Sequence, residues 1–136
     1  MRKSLFALLL ITGCASGITK TQKNDMMSYK AKGFYIEEKS VGTAAGLGIL
    51  PGGGSFYTRN YGFGVVNLLV WPISVLWDPI SGTNGAEYLN YYATLANVNN
   101  LKRKEVRDLD EELALGKITQ QQYALKKIDV DKKYEP

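Results

Sequence analysis

The chain has 136 residues, with 17 basic and 13 acidic side chains, one cysteine and no histidine. Without histidine there is no Ser-His-Asp or Cys-His nucleophile, no His-containing zinc site and no general base of the usual kind near neutral pH, and a lone cysteine cannot close an internal disulfide. The charge is close to balanced and no basic run exceeds Lys102-Arg103-Lys104, which argues against nucleic acid, so neither a metal nor an organic cofactor is expected.

The first element is a leader. Arg2 and Lys3 precede the apolar block Leu5-Phe6-Ala7-Leu8-Leu9-Leu10-Ile11, which is too short to span a bilayer and ends in small residues before Cys14. Residues 1–13 therefore read as a signal peptide. Ile11-Thr12-Gly13-Cys14 resembles the lipobox of bacterial lipoproteins: an aliphatic residue, a small or hydroxylated one, Gly or Ala, then Cys. The resemblance implies cleavage between Gly13 and Cys14, a diacylglyceryl group on the Cys14 sulfur and an acylated new amine. Each buried acyl CH₂ contributes about 0.8 kcal/mol, so three chains would hold the protein firmly on a membrane. In such lipoproteins Asp after the cysteine marks retention in the inner membrane. Ala15 and Ser16 follow here, which implies the periplasmic face of the outer membrane.

Removal of 13 residues leaves 123, with 15 basic and 13 acidic side chains, enough for one small domain but not for two substantial cores. Residues 14–40 are polar and mixed in charge and read as the lipidated Cys14 followed by a tether, with Gly33-Phe34-Tyr35-Ile36 as a candidate short strand.

Residues 41–80 change character. Val41 to Leu50 is uncharged and rich in glycine, Pro51-Gly52-Gly53-Gly54-Ser55 is a strong breaker, and Tyr61 to Trp77 is 17 residues without a charge. The glycines do not form a phosphate loop, since no Gly-Lys-Ser/Thr opens a helix. As a helix the uncharged run is about 25 Å long against a hydrocarbon core of roughly 30 Å, and Pro72 is expected to kink it near Leu68. An apolar helical hairpin lying in or against lipid is expected, with the amphipathic aromatics Tyr57, Tyr61, Trp71 and Trp77 as membrane-contact residues. The segment resembles the TM2-type two-helix membrane domain in its glycine-rich approach to an aromatic pair (Gly54, Phe56, Tyr57), Gly62 and Gly64 at the start of the second helix, and Trp77-Asp78 at its end. It lacks that family's His before the pair and has Thr58-Arg59-Asn60 in place of its turn.

Asn84-Gly85-Ala86-Glu87 has a capping-box pattern, so a long amphipathic helix is expected over 84–108, with Ala86, Leu89, Ala93 and Ala96 on one face. Residues 109–131 then carry Leu109, Leu113, Gly116-Lys117-Ile118-Thr119, Gln122 and Tyr123. Gly116 suits a left-handed helix end and Thr119 with Gln122 a second capping box, which together predict a terminal αα-hairpin. This stretch resembles the SHOCT module, a short C-terminal element thought to act in oligomerisation or partner binding. The resemblance implies Leu109, Leu113, Ile118 and Tyr123 as partner-contact residues.

The expected fold is mainly α: lipid-anchored tether, glycine-rich apolar hairpin, long amphipathic helix and terminal αα-hairpin. The expected function is that of a non-enzymatic cell-envelope lipoprotein acting in assembly or partner binding, its partners being membrane lipid and a second copy or another envelope protein. An inner-membrane integral protein of the TM2 type is the alternative, and a carboxylate-dependent envelope hydrolase, which needs two convergent acids in a cleft, a remote one.

Overall fold

The computed structural model of the protein describes residues 17–136; the leader, Gly13 and Cys14 lie outside the described residues. The described residues are mainly helical, with no strand: α1 Lys20–Ala31, α2 Val41–Leu47, α3 Gly53–Tyr57, α4 Tyr61–Leu69, a 3-10 turn Ile73–Leu76, α5 Asp78–Ala114 and α6 Gln120–Tyr134. They form two compact units. One comprises residues 17–19 with Glu37–Tyr91, the other Lys20–Ile36 with Tyr92–Pro136, so α5 supplies residues to both.

The second unit has an ordinary apolar core. Tyr29 of α1, Val98 and Leu109 of α5, and Val130 and Tyr134 of α6 are buried together, with Phe34, Leu101, Val106, Ile118 and Tyr123 packed around them. The expected tether is therefore corrected for residues 20–31, which form a helix docked through Tyr29. A polar helix of 12 residues is marginal alone, and burying one aromatic on a neighbouring core is what holds it. Its end is a Schellman motif: Gly33 has φ +76°, the Phe34 amide bonds the Tyr29 carbonyl at 2.8 Å and the Gly33 amide bonds Lys30 at 3.1 Å. Residues 34–36 are not a strand. The Phe34 and Ile36 backbones instead pair with side chains of α5, Asn97 Nδ2 donating to Phe34 O and Ile36 N donating to Thr94 Oγ1.

The terminal αα-hairpin forms as the local signals required. Gly116 has φ +67°, with Gly116 N to Leu113 O and Lys117 N to Glu112 O completing a Schellman motif, and Thr119 and Gln122 make both bonds of a capping box. Polar rungs then join α5 to α6. Tyr123 donates to Asp110, Lys126 pairs with Glu112, Lys102 with Asp131, and Glu105 accepts from Lys133 at 2.5 Å and Tyr134 at 2.8 Å. The Lys133 ammonium holds the Glu105 carboxyl below its usual range, while burial and the bond to Glu105 push the Tyr134 phenol up. Tyr123→Ala combined with Leu113→Ala should lower the stability of this unit by about 2–4 kcal/mol, read from urea unfolding followed by helical circular dichroism, because the hairpin loses packing and a rung together. A stable variant that loses only crosslinks to another protein would instead assign these side chains to a partner.

In the first unit, the expected two-helix hairpin over 41–80 is four short pieces: α2, α3, α4 and the 3-10 turn. Ser40 caps α2, its Oγ accepting from the Thr43 amide. The uncharged run does not continue as one kinked helix. α4 stops at Leu69, three residues before Pro72, since proline can neither donate to the helix nor let the residue before it stay helical with ease. Helix α5 begins at Asp78, six residues before the expected Asn84. Pro79 is tolerated in its first turn, where a missing amide hydrogen costs nothing.

These pieces pack through glycine. A Cβ added to Gly48 would lie 2.4 Å from Pro79 N, one on Gly54 3.0 Å from the Ala44 and Asp78 carbonyl oxygens, and one on Gly82 2.8 Å from Ala44 O. Backbone thus meets backbone where α2, α3 and the start of α5 come together, an approach only a side chain of zero length permits.

Candidate functional site

What sets the first unit apart is which side chains it buries. Asn67, Asp78, Ser55 and Ser74 are among the largest fully buried side chains of the described residues, and all are polar. Asp78 stands at their centre. Its Oδ1 accepts from Ser55 Oγ at 2.5 Å and Asn67 Nδ2 at 2.6 Å, and its Oδ2 accepts from the Gly54 amide at 3.3 Å. Asn67 Nδ2 also reaches Ser55 Oγ at 3.1 Å, and the Asn67 carbonyl accepts from Trp77 Nε1 at 2.8 Å. One carboxylate therefore ties together α3, α4 and α5, and Asn67 extends the network to Trp77. A second buried amide, Asn90, makes a reciprocal pair with the backbone of Lys39, accepting from its N–H and donating to its C=O, both at 2.8 Å. The hydroxyls of Ser74 and Ser81 are buried without a partner, but Asp78, Asn67, Ser55 and Asn90 are bonded, and buried polar groups so paired cost little, whereas removal of one partner strands the others.

Along α4, the 3-10 turn and the first turn of α5 the outward side chains are apolar or aromatic. In α4 the exposed residues Tyr61, Val65, Leu68 and Leu69 recur at positions i, i+4, i+7 and i+8, and the opposite positions, Gly64 and Asn67, are buried. The usual amphipathic helix is inverted. The inversion continues along the chain: Ile73 and Leu76 point out while Ser74 is buried, and Ile80 is exposed beside buried Asp78 and Ser81. Leu69 and Leu76 are 78% and 77% exposed, and Val70 and Trp71 are exposed between them. From Asn60 to Trp77 there is no charged residue. Isolated exposed leucines are ordinary on a protein surface, but a continuous run of them over a polar interior marks an interaction surface.

The four aromatic residues expected at a membrane divide in two. Tyr61 and Trp71 are exposed with the apolar run. Trp77, 36% exposed, turns its indole nitrogen inward to Asn67, and Tyr57 is held by the Ser40 amide on its hydroxyl and by Lys39 Nζ 4.5 Å from its ring centre, so both also position this unit's own elements. The expected partner-contact residues Leu109, Ile118 and Tyr123 pack in the core of the second unit, and Leu113 is half-buried. The large apolar and aromatic side chains that unit leaves exposed are Met27, Ile36, Tyr92, Leu115, Leu125 and Ile128. The sequence reading missed the role of Asp78, Asn67 and Ser55. Its one available signal was a polar residue, Asn67, on an otherwise apolar stretch.

A cavity of about 280 Å³ lies along α5, lined by Asn99, Lys102, Arg103, Val106, Arg107 and Asp110. Its one carboxylate, Asp110, accepts from Tyr123. Among the described residues no three Asp, Glu, Cys or His side chains come together as a metal-binding group, and no helix is long and apolar enough to cross a membrane. No family model, no curated protein and no solved structure matches the chain.

Proposed function

We propose that this protein is a non-enzymatic lipoprotein of the bacterial cell envelope, held on the periplasmic face of the outer membrane by acyl chains on Cys14, where it takes part in assembly or partner binding. The observation that carries the proposal is the match of Ile11-Thr12-Gly13-Cys14 to a lipobox, placed directly behind a basic and then apolar leader that contains no acidic residue. The want of any histidine and of paired carboxylates in the α5 cavity supports a binding role over a hydrolytic one. The partner is an envelope protein or a second copy of the chain, met by what the second unit leaves exposed after closing its own core.

The direct test is Cys14→Ala in cells fed a labelled fatty acid. The wild-type chain should take up label and lose its first 13 residues, and the variant should accumulate as unlabelled precursor. Label retained by the variant would refute acylation at this residue. Separation of inner from outer membrane then reads the location.

A further inference from the structure

The apolar run of the first unit faces outward along α4, through the 3-10 turn and into the first turn of α5, over an interior of Asp78, Asn67, Ser55 and Ser74. We infer that this surface is a second membrane anchor, entering the acyl-chain region of the same single leaflet that receives the lipid on Cys14. The inference rests on the acylation proposed above for its choice of leaflet, and on the following geometry for the insertion itself.

Lipid is the occupant because the unit meets most of its particular demands. In hydrocarbon every backbone polar group has to be satisfied by the protein, whereas in water exposed turns can leave theirs to solvent. In the irregular stretch between α4 and α5, the amides of Val70, Ile73, Val75 and Trp77 bond the carbonyls of Val66, Val70, Pro72 and Ser74, and Pro72 has no amide hydrogen to leave free. The Ser55 and Asn67 side chains are folded inward on Asp78, the Ser74 and Ser81 hydroxyls are buried without a partner, and the glycine contacts of α2, α3 and α5 are of the close backbone kind that helices adopt in lipid.

Size decides the depth. Helix α4 has nine residues, about 14 Å at 1.5 Å per residue, and a hydrocarbon core is about 30 Å thick. The surface reaches through one leaflet and does not cross.

The start of the described chain supplies the second argument. Gly17 is seated against Asn84, where an added Cβ would meet Asn84 Oδ1 at 3.0 Å, and Ile18 is buried. Asn84 follows Ile80 by four residues on α5, so the two are neighbours on one helix face, and Ile80 is one of the exposed apolar side chains. Only Ala15 and Ser16 separate Gly17 from Cys14, three Cα-to-Cα steps of at most about 11 Å in all. The acyl chains thus leave the protein within a short reach of the apolar surface and bring it down on the leaflet.

The test uses the full acylated protein in vesicles of phosphatidylethanolamine and phosphatidylglycerol containing phosphatidylcholine brominated on its acyl chains. Both tryptophans of the protein, Trp71 and Trp77, lie in the first unit, so their quenching by bromine reports insertion of this surface alone, while mass spectrometry of Cys14 reports acylation. Blue-shifted, strongly quenched emission is expected. The variant with Leu69→Asp and Leu76→Asp, altered only at two exposed positions, should keep its acyl chains, its helical circular dichroism and its vesicle binding but lose the quenching. Acylated, vesicle-bound protein with unquenched tryptophan would overturn the inference, as would unquenched tryptophan in a crosslinkable dimer, which would show a second copy on this surface. Quenched tryptophan in a chain that proves not to be acylated would support insertion and refute the Cys14 reading by itself.

Discussion

Asp78→Ala should destabilise the first unit by about 3 kcal/mol or more. The carboxylate is fully buried and accepts three hydrogen bonds, from Ser55, Asn67 and the Gly54 amide. Truncation to Ala leaves those donors in a space closed to water, and each stranded buried group costs about 1–3 kcal/mol. Part of the loss is recovered where Asn67 keeps its bond to Ser55 Oγ, which is why the sum of three separate penalties is an upper limit. Tryptophan emission during urea unfolding isolates this unit, since both indoles belong to it. A double-variant cycle adds a sharper outcome. Asp78→Leu and Asn67→Leu made together should cost clearly less than the two changes summed, because removing both ends of a buried polar pair strands less than removing either. Additive costs, or a single-variant loss below about 1 kcal/mol, would show that the network contributes little to holding the unit together.

The second large effect is steric. Gly48 has φ −64° and ψ −14°, a conformation any residue adopts, so the backbone itself does not require glycine there. Space does. A Cβ would lie 2.4 Å from Pro79 N and 2.5 Å from Pro79 Cα, and neither is the tip of a flexible side chain that can swing aside. Gly48→Ala therefore has to push α2 away from the start of α5, at a cost of about 3 kcal/mol, the upper part of the range for overpacking. Gly46, two residues earlier and inside α2, has nothing within 4 Å of its would-be Cβ. Gly46→Ala should be neutral or stabilise by about 0.5–1 kcal/mol through helix propensity. The pair should move the tryptophan-detected melting temperature in opposite directions. Equal melting temperatures would mean that α2 and α5 are not packed at Gly48 as described.

Certain parts of the fold were legible because their causes are local. The turn between α5 and α6 depends on Gly116 taking a left-handed conformation and on Thr119 and Gln122 exchanging bonds across three residues, and both are written in adjacent letters. Gly33 closes α1 with the same Schellman geometry, yet it was read as part of a tether. The difference is in what precedes it. The residues of α1 are polar with a single buried aromatic, so no periodic stripe announces a helix, and Tyr29 earns its place only against Val98, Val130 and Tyr134. The Asn84 capping box misled for a related reason. Asp78, six residues upstream, is held in place by partners on α3 and α4, and α5 follows from there through Asn84 without a break.

In the first unit the two levels of description part company. An uncharged run with glycine, proline and aromatic residues is enough to mark 41–80 as unlike the rest of the chain, and to suggest lipid. A periodicity of apolar residues states that a helix has an apolar face and a polar one, but which face turns inward depends on what the opposing elements offer. Here α3 offers Ser55, the start of α5 offers Asp78, and Trp77 offers an indole N–H, so Asn67 is drawn inward and Leu68 and Leu69 are left outside. Bonds across 11 and 23 residues, such as Asn67 to Asp78 and Ser55 to Asp78, exist only once the chain has folded. Helicity, the turn between α5 and α6 and the apolar character of the middle segment were thus set by neighbouring residues in the chain, while the docking of α1, the start of α5 and the direction in which the middle segment faces were set by tertiary partners, in the last two cases a buried carboxylate that takes donors from α3 and α4.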